Sequence, residues 1–164
     1  MPTQITLRSD LSRGLSISEY DGNLLSYESR ISELRGLVDS CCGTQSWTEN
    51  DSLTLRSDNS GKLSISDADQ NLSLLYDKMS ELNDKIFLCC GTASSIEVSL
   101  VLRSDLQRNL TRFELDSNFI MLRDFIDDLF EIQEDCCSGP PEEFILTEGG
   151  DPILTENGLN LIIE

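Results

Sequence analysis

One unit occurs three times along this chain, and each copy ends in a pair of cysteines. Thr6-Leu7-Arg8-Ser9-Asp10 returns as Thr54-Leu55-Arg56-Ser57-Asp58 and as Val101-Leu102-Arg103-Ser104-Asp105. Cys41-Cys42 returns as Cys89-Cys90 and Cys136-Cys137, and the steps are 48 and 47 residues. A tandem repeat restricts the fold to architectures that use one packing solution again, and it argues against a single asymmetric catalytic pocket. The copies set the expected organisation: repeat 1 over 1–48, repeat 2 over 49–97, repeat 3 over 98–139, and a tail over 140–164.

Each copy reads as an extended segment, a helix and a linker. Gln4 to Arg8, Ser52 to Arg56 and Val98 to Arg103 alternate apolar with polar residues, as half-buried strands do. The helix starts are marked by Ser16-Ile17-Ser18-Glu19, Ser64-Ile65-Ser66-Asp67 and Thr111-Arg112-Phe113-Glu114, which are capping boxes or near variants. Leu15, Leu63 and Leu110 stand before the caps, and Tyr20, Ala68 and Leu115 stand where a hydrophobic staple needs its second member.

The helix bodies keep a 4-3 apolar spacing. The seam is Tyr20, Leu24, Tyr27, Ile31, Leu34, Val38 and Cys41 in copy one. In copy two it is Ala68, Leu72, Leu75, Met79, Leu82, Ile86 and Cys89; in copy three it is Leu115, Phe119, Leu122, Ile126, Leu129, Gln133 and Cys136. Three heptads in three copies predict a coiled-coil seam. Gly43 and Gly91 follow the cysteines as helix stops do. The third helix also carries Ile120, Met121, Phe125, Phe130 and Ile132 off the seam, which predicts deeper burial or contact with another chain.

The fold class predicted is mainly α: three strand-helix repeats packing as a parallel three-helix coiled-coil bundle. Two assemblies satisfy the seam, a single-chain pseudo-trimer and a homotrimeric fibre. Close packing prefers the first, because Tyr20, Ala68 and Leu115 would share a layer with compensating sizes, and one Gln133 costs less than three. After Pro140-Pro141, Ile145-Leu146-Thr147-Glu148 returns as Ile153-Leu154-Thr155-Glu156 and Leu161-Ile162-Ile163-Glu164, separated by Gly-Gly and Asn-Gly. That pattern predicts a small β-meander.

Charge narrows the partners. The formal net charge is -18, and Glu114 to Glu164 alone hold fourteen acids against one base, Arg123. Such a chain repels nucleic acid and anionic membrane surfaces. No apolar run reaches membrane-span length, and the first residues show no secretory signal, so synthesis in a reducing host cytoplasm is expected.

Candidate chemistry is thin. The chain has no His, the commonest general base and metal ligand. Zinc sites favour C-x2-4-C spacings, whereas these cysteines are adjacent, so a metal ranks last. Small buried thiols closing the seam at Cys41, Cys89 and Cys136 are the preferred reading. Disulfides between helices, formed after release into an oxidising medium, are the alternative, with none bridging within a pair. The Arg-Ser-Asp triplets read as ion pairs or turns at the entry to each helix. Asp124, Asp127, Asp128, Glu131, Glu134 and Asp135 read as a solvated helix face rather than a cation site. No catalytic residue, cofactor or metal is assigned.

The stretch Arg8-Ser9-Asp10-Leu11, Leu15-Ser16, Glu19, Asp21 and Asn23-Leu24 resembles a motif common in structural proteins of tailed bacteriophages, R-x-D-x-x-x-x-L-T-x-x-E-x-D-x-N-F followed by a short coiled coil. Copy three matches best, with Arg103, Asp105, Leu110-Thr111, Glu114, Asp116 and Asn118-Phe119; copy two departs at Asp67 and Leu72. The tail resembles a β-repeat of phage and marine-virus virion proteins. The resemblance implies a non-enzymatic virion component, with capsid decoration (cement or head fibre) expected first. A tail-fibre or tail-associated trimeric part, or a receptor-binding adhesin module, is the alternative. The expected partners are other virion proteins or further copies of the chain, with docking through Phe113, Met121, Phe125, Phe130, Ile145 and Ile153.

Overall fold

The computed structural model describes residues 3–11, 13–48, 52–106 and 108–138. This part of the chain is mainly helical. Three helices of 26 residues each carry the repeats: α1 (Ile17–Cys42), α2 (Ile65–Cys90) and, after the one-turn α3 (Arg103–Leu106), α4 (Arg112–Cys137). At 1.5 Å per residue each long helix spans roughly 39 Å.

The helix starts follow the sequence signals. Ser16 Oγ accepts the Glu19 N–H while Glu19 accepts the Ser16 N–H at 2.7 Å. Thr111 and Glu114 exchange the same pair of bonds. Asp67 is one methylene shorter than Glu, yet it also closes the box with Ser64. Arg13 and Arg108 then grip Glu19 and Glu114. The Arg13 hydrogen bond, helped by the Ser16 N–H and hydroxyl, holds the Glu19 carboxyl down at about 2; Arg108 and Thr111 do the same for Glu114. At the far end, Gly91 enters the left-handed region at φ 73° and its N–H reaches Phe87 O at 2.8 Å, the turn that stops α2.

The chain divides into two compact units, Met1–Gln133 and Glu134–Glu164. In the first, one core cluster draws its buried residues from all three long helices: Leu24, Tyr27, Ile31, Leu34 and Val38, then Leu72, Leu75, Met79, Leu82 and Ile86, then Phe119, Leu122, Ile126 and Leu129. These are the heptad positions of the sequence. Tyr27 keeps its hydroxyl satisfied in this core by donating to Phe119 O, and burial pushes that phenol well above the usual tyrosine range. Of the second unit, the described residues are the last turn of α4 and Ser138, whose N–H returns to Glu134 O. The predicted β-meander after Pro140 lies outside the described residues, as do Ile145 and Ile153.

The predicted strands are corrected. Among the described residues no strand forms. Each extended segment instead finds its partner in an asparagine of its own helix. Asn23 Oδ1 accepts the Thr6 N–H at 2.8 Å and its Nδ2 donates to Thr6 O at 2.7 Å. Asn71 does this to Thr54, and Asn118 to Val101, always 17 residues on. One amide side chain thus supplies the donor and acceptor that a neighbouring strand would offer, and the segment needs no sheet.

The extra apolar residues of α4 turn inward or are shielded. Phe125 is 3 % exposed and lies beside the Tyr76 ring. Phe130 is half-buried under the Arg30 guanidinium, 3.5 Å from its ring centre.

Candidate functional site

Two residues before each clamping asparagine stands a buried aspartate, and it reaches into a different repeat. Asp21 accepts the N–H groups of Arg56 and Ser57 at 2.8 and 2.9 Å. Asp69 accepts those of Arg103 and Ser104, both at 2.8 Å. Asp116 accepts those of Arg8 and Ser9 at 2.8 and 2.7 Å. The first repeat therefore holds the second, the second the third, and the third the first. Buried carboxylates survive here because both oxygens are filled by donors. Sequence reasoning placed Asp21, Asn23, Asp116 and Asn118 in a motif without giving them a task. The available signal was Asp-x-Asn, recurring as 21/23, 69/71 and 116/118 at one helical register in all three copies.

Tying down the Arg-Ser backbone aims three arginines at one place. Arg8, Arg56 and Arg103, with Lys62, line a cavity of about 520 Å³ at the beginnings of the long helices. Its apolar wall includes Leu15, Leu63 and Leu110, the residues before the caps, and Tyr20, Ala68 and Leu115 share it. The layer expected from Tyr20, Ala68 and Leu115 thus borders an open space instead of filling it. The predicted Arg–Asp ion pairs within the triplets do not form; the turn reading is the one that fits, as a 3-10 turn at Arg8–Asp10 and as α3 in copy three. Arg56 donates from Nε and Nη2 to Gly61 O, and Arg103 donates to Asn109. Nε of Arg8 and Nε of Arg103 are buried with no hydrogen-bond partner among the described residues. Burial raises the Tyr20 phenol to about 12, against the opposing pull of Arg56 and Arg103.

The cysteines correct the sequence reading. All six are in disulfides, and the buried-thiol expectation fails. Cys42 bonds to Cys89, with Cα atoms 5.7 Å apart. The seam ends one turn earlier, at the buried Val38, Ile86 and Gln133. Past that layer the predicted seam residues Cys41 and Cys89 are exposed, while Cys42 and Cys90 pack against the core edge. Cys136, the third predicted seam cysteine, is half-buried. The sulfurs of Cys41, Cys42 and Cys89 lie close together, but oxidised sulfur offers no thiolate to a metal.

The remaining predicted positions scatter. Phe113 is 71 % exposed, Met121 is half-buried, and Phe125 belongs to the core, so of the three Phe125 is closed to a partner. Within the acidic cluster Asp127 is structural: it accepts the N–H and hydroxyl of Thr3, the hydroxyl at 2.6 Å. No helix of the described residues is long and apolar enough to cross a membrane. No family model, no curated protein and no solved structure matches this chain.

Proposed function

We propose that this protein is a non-enzymatic structural component of a phage particle, most simply a capsid-decorating cement or head-fibre protein. In this reading the repeats form a parallel three-helix coiled-coil bundle within one chain, a single-chain counterpart of a trimer. The observation that carries it is the set of motif positions themselves. Glu19 and Glu114 close helix caps, Asp21, Asp69 and Asp116 join repeats, Asn23, Asn71 and Asn118 hold the extended segments, and Phe119 fills the core. Each of these named residues is engaged in architecture, as a rigid displayed module requires, and the cross-linked helix ends favour persistence outside a cell.

Two measurements test this. Sedimentation equilibrium separates one chain from three; a monomeric mass is expected. Cosedimentation with purified capsids and, separately, with tails of the phage that encodes it is expected to retain the protein on capsids. Retention on tails alone replaces decoration with the tail-associated reading. Binding to neither, together with hydrolysis of a glycan, would sink the structural reading.

A further inference from the structure

The arginine-lined cavity at the helix starts has no part in the structural role proposed above. Its charge is the anomaly. The chain has 12 basic residues and 30 acids, so partners for a base are plentiful. Arg13, Arg30, Arg35, Lys78, Arg108 and Arg123 each take one. The other six form no ion pair among the described residues; Lys85 and Arg112 are outside the cavity, while Arg8, Arg56, Arg103 and Lys62 all border the same space.

The carboxylates beside them offset part of that charge but take none of their side-chain N–H groups: Asp21 and Asp116 bind the backbone of Arg56–Ser57 and Arg8–Ser9. Asp69 borders the cavity, but its two oxygens are engaged by the Arg103 and Ser104 N–H groups. Leaving a buried guanidinium N–H without an acceptor is costly, and Nε of both Arg8 and Arg103 is in that condition among the described residues. The fold thus holds donors ready for an acceptor that none of the described residues supplies. Arginine forks suit oxyanions, which they meet with two parallel bonds. Residues at the N-terminal, positive ends of all three long helices line the same cavity. Distant surface acids do not cancel this local field, since charges are screened over about 8–10 Å at physiological salt.

We propose that this cavity is a binding site for a compact multivalent oxyanion, a polycarboxylate or a phosphate compound, held by Arg8, Arg56 and Arg103 with one arginine from each repeat. At about 520 Å³ the space falls within the usual range of small-molecule sites and exceeds what a single halide needs. The leucines and Tyr20 give it a dry wall, which strengthens charge-assisted bonds at the mouth.

The test is calorimetric titration of the full-length oxidised protein with citrate and with inorganic pyrophosphate, against sodium chloride at matched ionic strength. Saturable one-to-one binding of at least one anion is expected, and whichever binds more tightly identifies carboxylate or phosphate as the preferred chemistry. Arg8→Gln and Arg103→Gln are each expected to weaken binding by about tenfold or more, in line with loss of one charge-assisted bond. Arg112→Gln, on a residue outside the cavity that stacks on Phe113, should leave it unchanged. No saturable heat up to about 1 mM of either anion, or equal binding by the Arg8 and Arg103 variants, overturns the proposal. Should those variants fail to fold, the Nε–H resonances of Arg8 and Arg103 in the unsubstituted protein decide it. They shift on citrate or pyrophosphate addition if the site is real and stay in place if it is not.

Discussion

Asp116 accepts the backbone N–H of Arg8 at 2.8 Å, across 108 residues of chain. The bond is the third of a set whose other members join Asp21 to Arg56 and Asp69 to Arg103. Each aspartate also takes the next N–H, so removing one orphans two donors in a site from which water is largely excluded. Asp21→Ala, Asp69→Ala and Asp116→Ala are each expected to destabilise the fold by about 2–4 kcal/mol in urea unfolding followed by far-UV circular dichroism. Asp124→Ala, on an exposed pair with Arg123, should stay within about 0.5 kcal/mol. If the three clamp variants behave like that control, the clamps do not hold the repeats together.

The Cys42–Cys89 bond closes a segment of 47 residues. On chain-entropy grounds such a crosslink stabilises by up to about 4 kcal/mol. Non-reducing peptide mapping of the purified protein should recover the Cys42 and Cys89 peptides joined. Reduction should then lower the urea midpoint markedly while the helical spectrum survives in buffer. An unchanged midpoint after complete reduction would remove the disulfide from any account of stability.

Acid should weaken the helix starts in a defined window. The folded-state values of Glu19 and Glu114 are about 2, below the ordinary 4.5. A carboxyl depressed on folding adds stability at pH values above its unfolded pKa and loses it as pH falls toward the folded one. Their contribution is therefore complete above about pH 4.5 and fades toward pH 2. The double variant Glu19→Gln, Glu114→Gln should show a shallower fall in melting temperature over that range. An identical acid limb would show that these two boxes play no part in it.

Gly61 combines a backbone and a packing requirement. Its φ is +82°, and a Cβ there would lie 2.6 Å from Ile17 Cδ1. Gly61→Ala is expected to cost about 1–3 kcal/mol. In an Ile17→Val background, which deletes that methyl, the same change should cost less but not nothing, because the backbone term remains. Equal costs in both backgrounds would remove the contact from the explanation.

Much of the fold was legible because two periodicities governed it. The 4-3 spacing of Leu24, Tyr27, Ile31 and Leu34 located the buried face, since burying a heptad stripe is what such a helix must do. Caps at Ser16, Ser64 and Thr111 were legible for an equally local reason. The extended segments were misread because alternation reports a half-buried backbone, not what its N–H and C=O groups bond to; Asn23 and its counterparts supplied that partner from a helix. Phe125, read from its place off the seam as either deeply buried or in contact with another chain, is buried beside Tyr76. The cysteines failed for a different reason: register says which face a residue is on, but not that the covering layers stop at Val38, Ile86 and Gln133. The cavity had no signature of its own, since it arises only when Arg8, Arg56 and Arg103 are brought together from segments about 47 residues apart.

Because Asp116 turns back to the first repeat, the three repeats are links in a cycle with neither a first nor a last member. Linear repeat proteins grow by adding links and need altered end units to close off their exposed faces. A cycle has no such faces, and a fourth link would find every aspartate already occupied. The order in which the links are written along the gene is then one of three equivalent cuts through the same circuit. New ends placed in either linker between helices, with the old ends joined, should leave every aspartate its two donors.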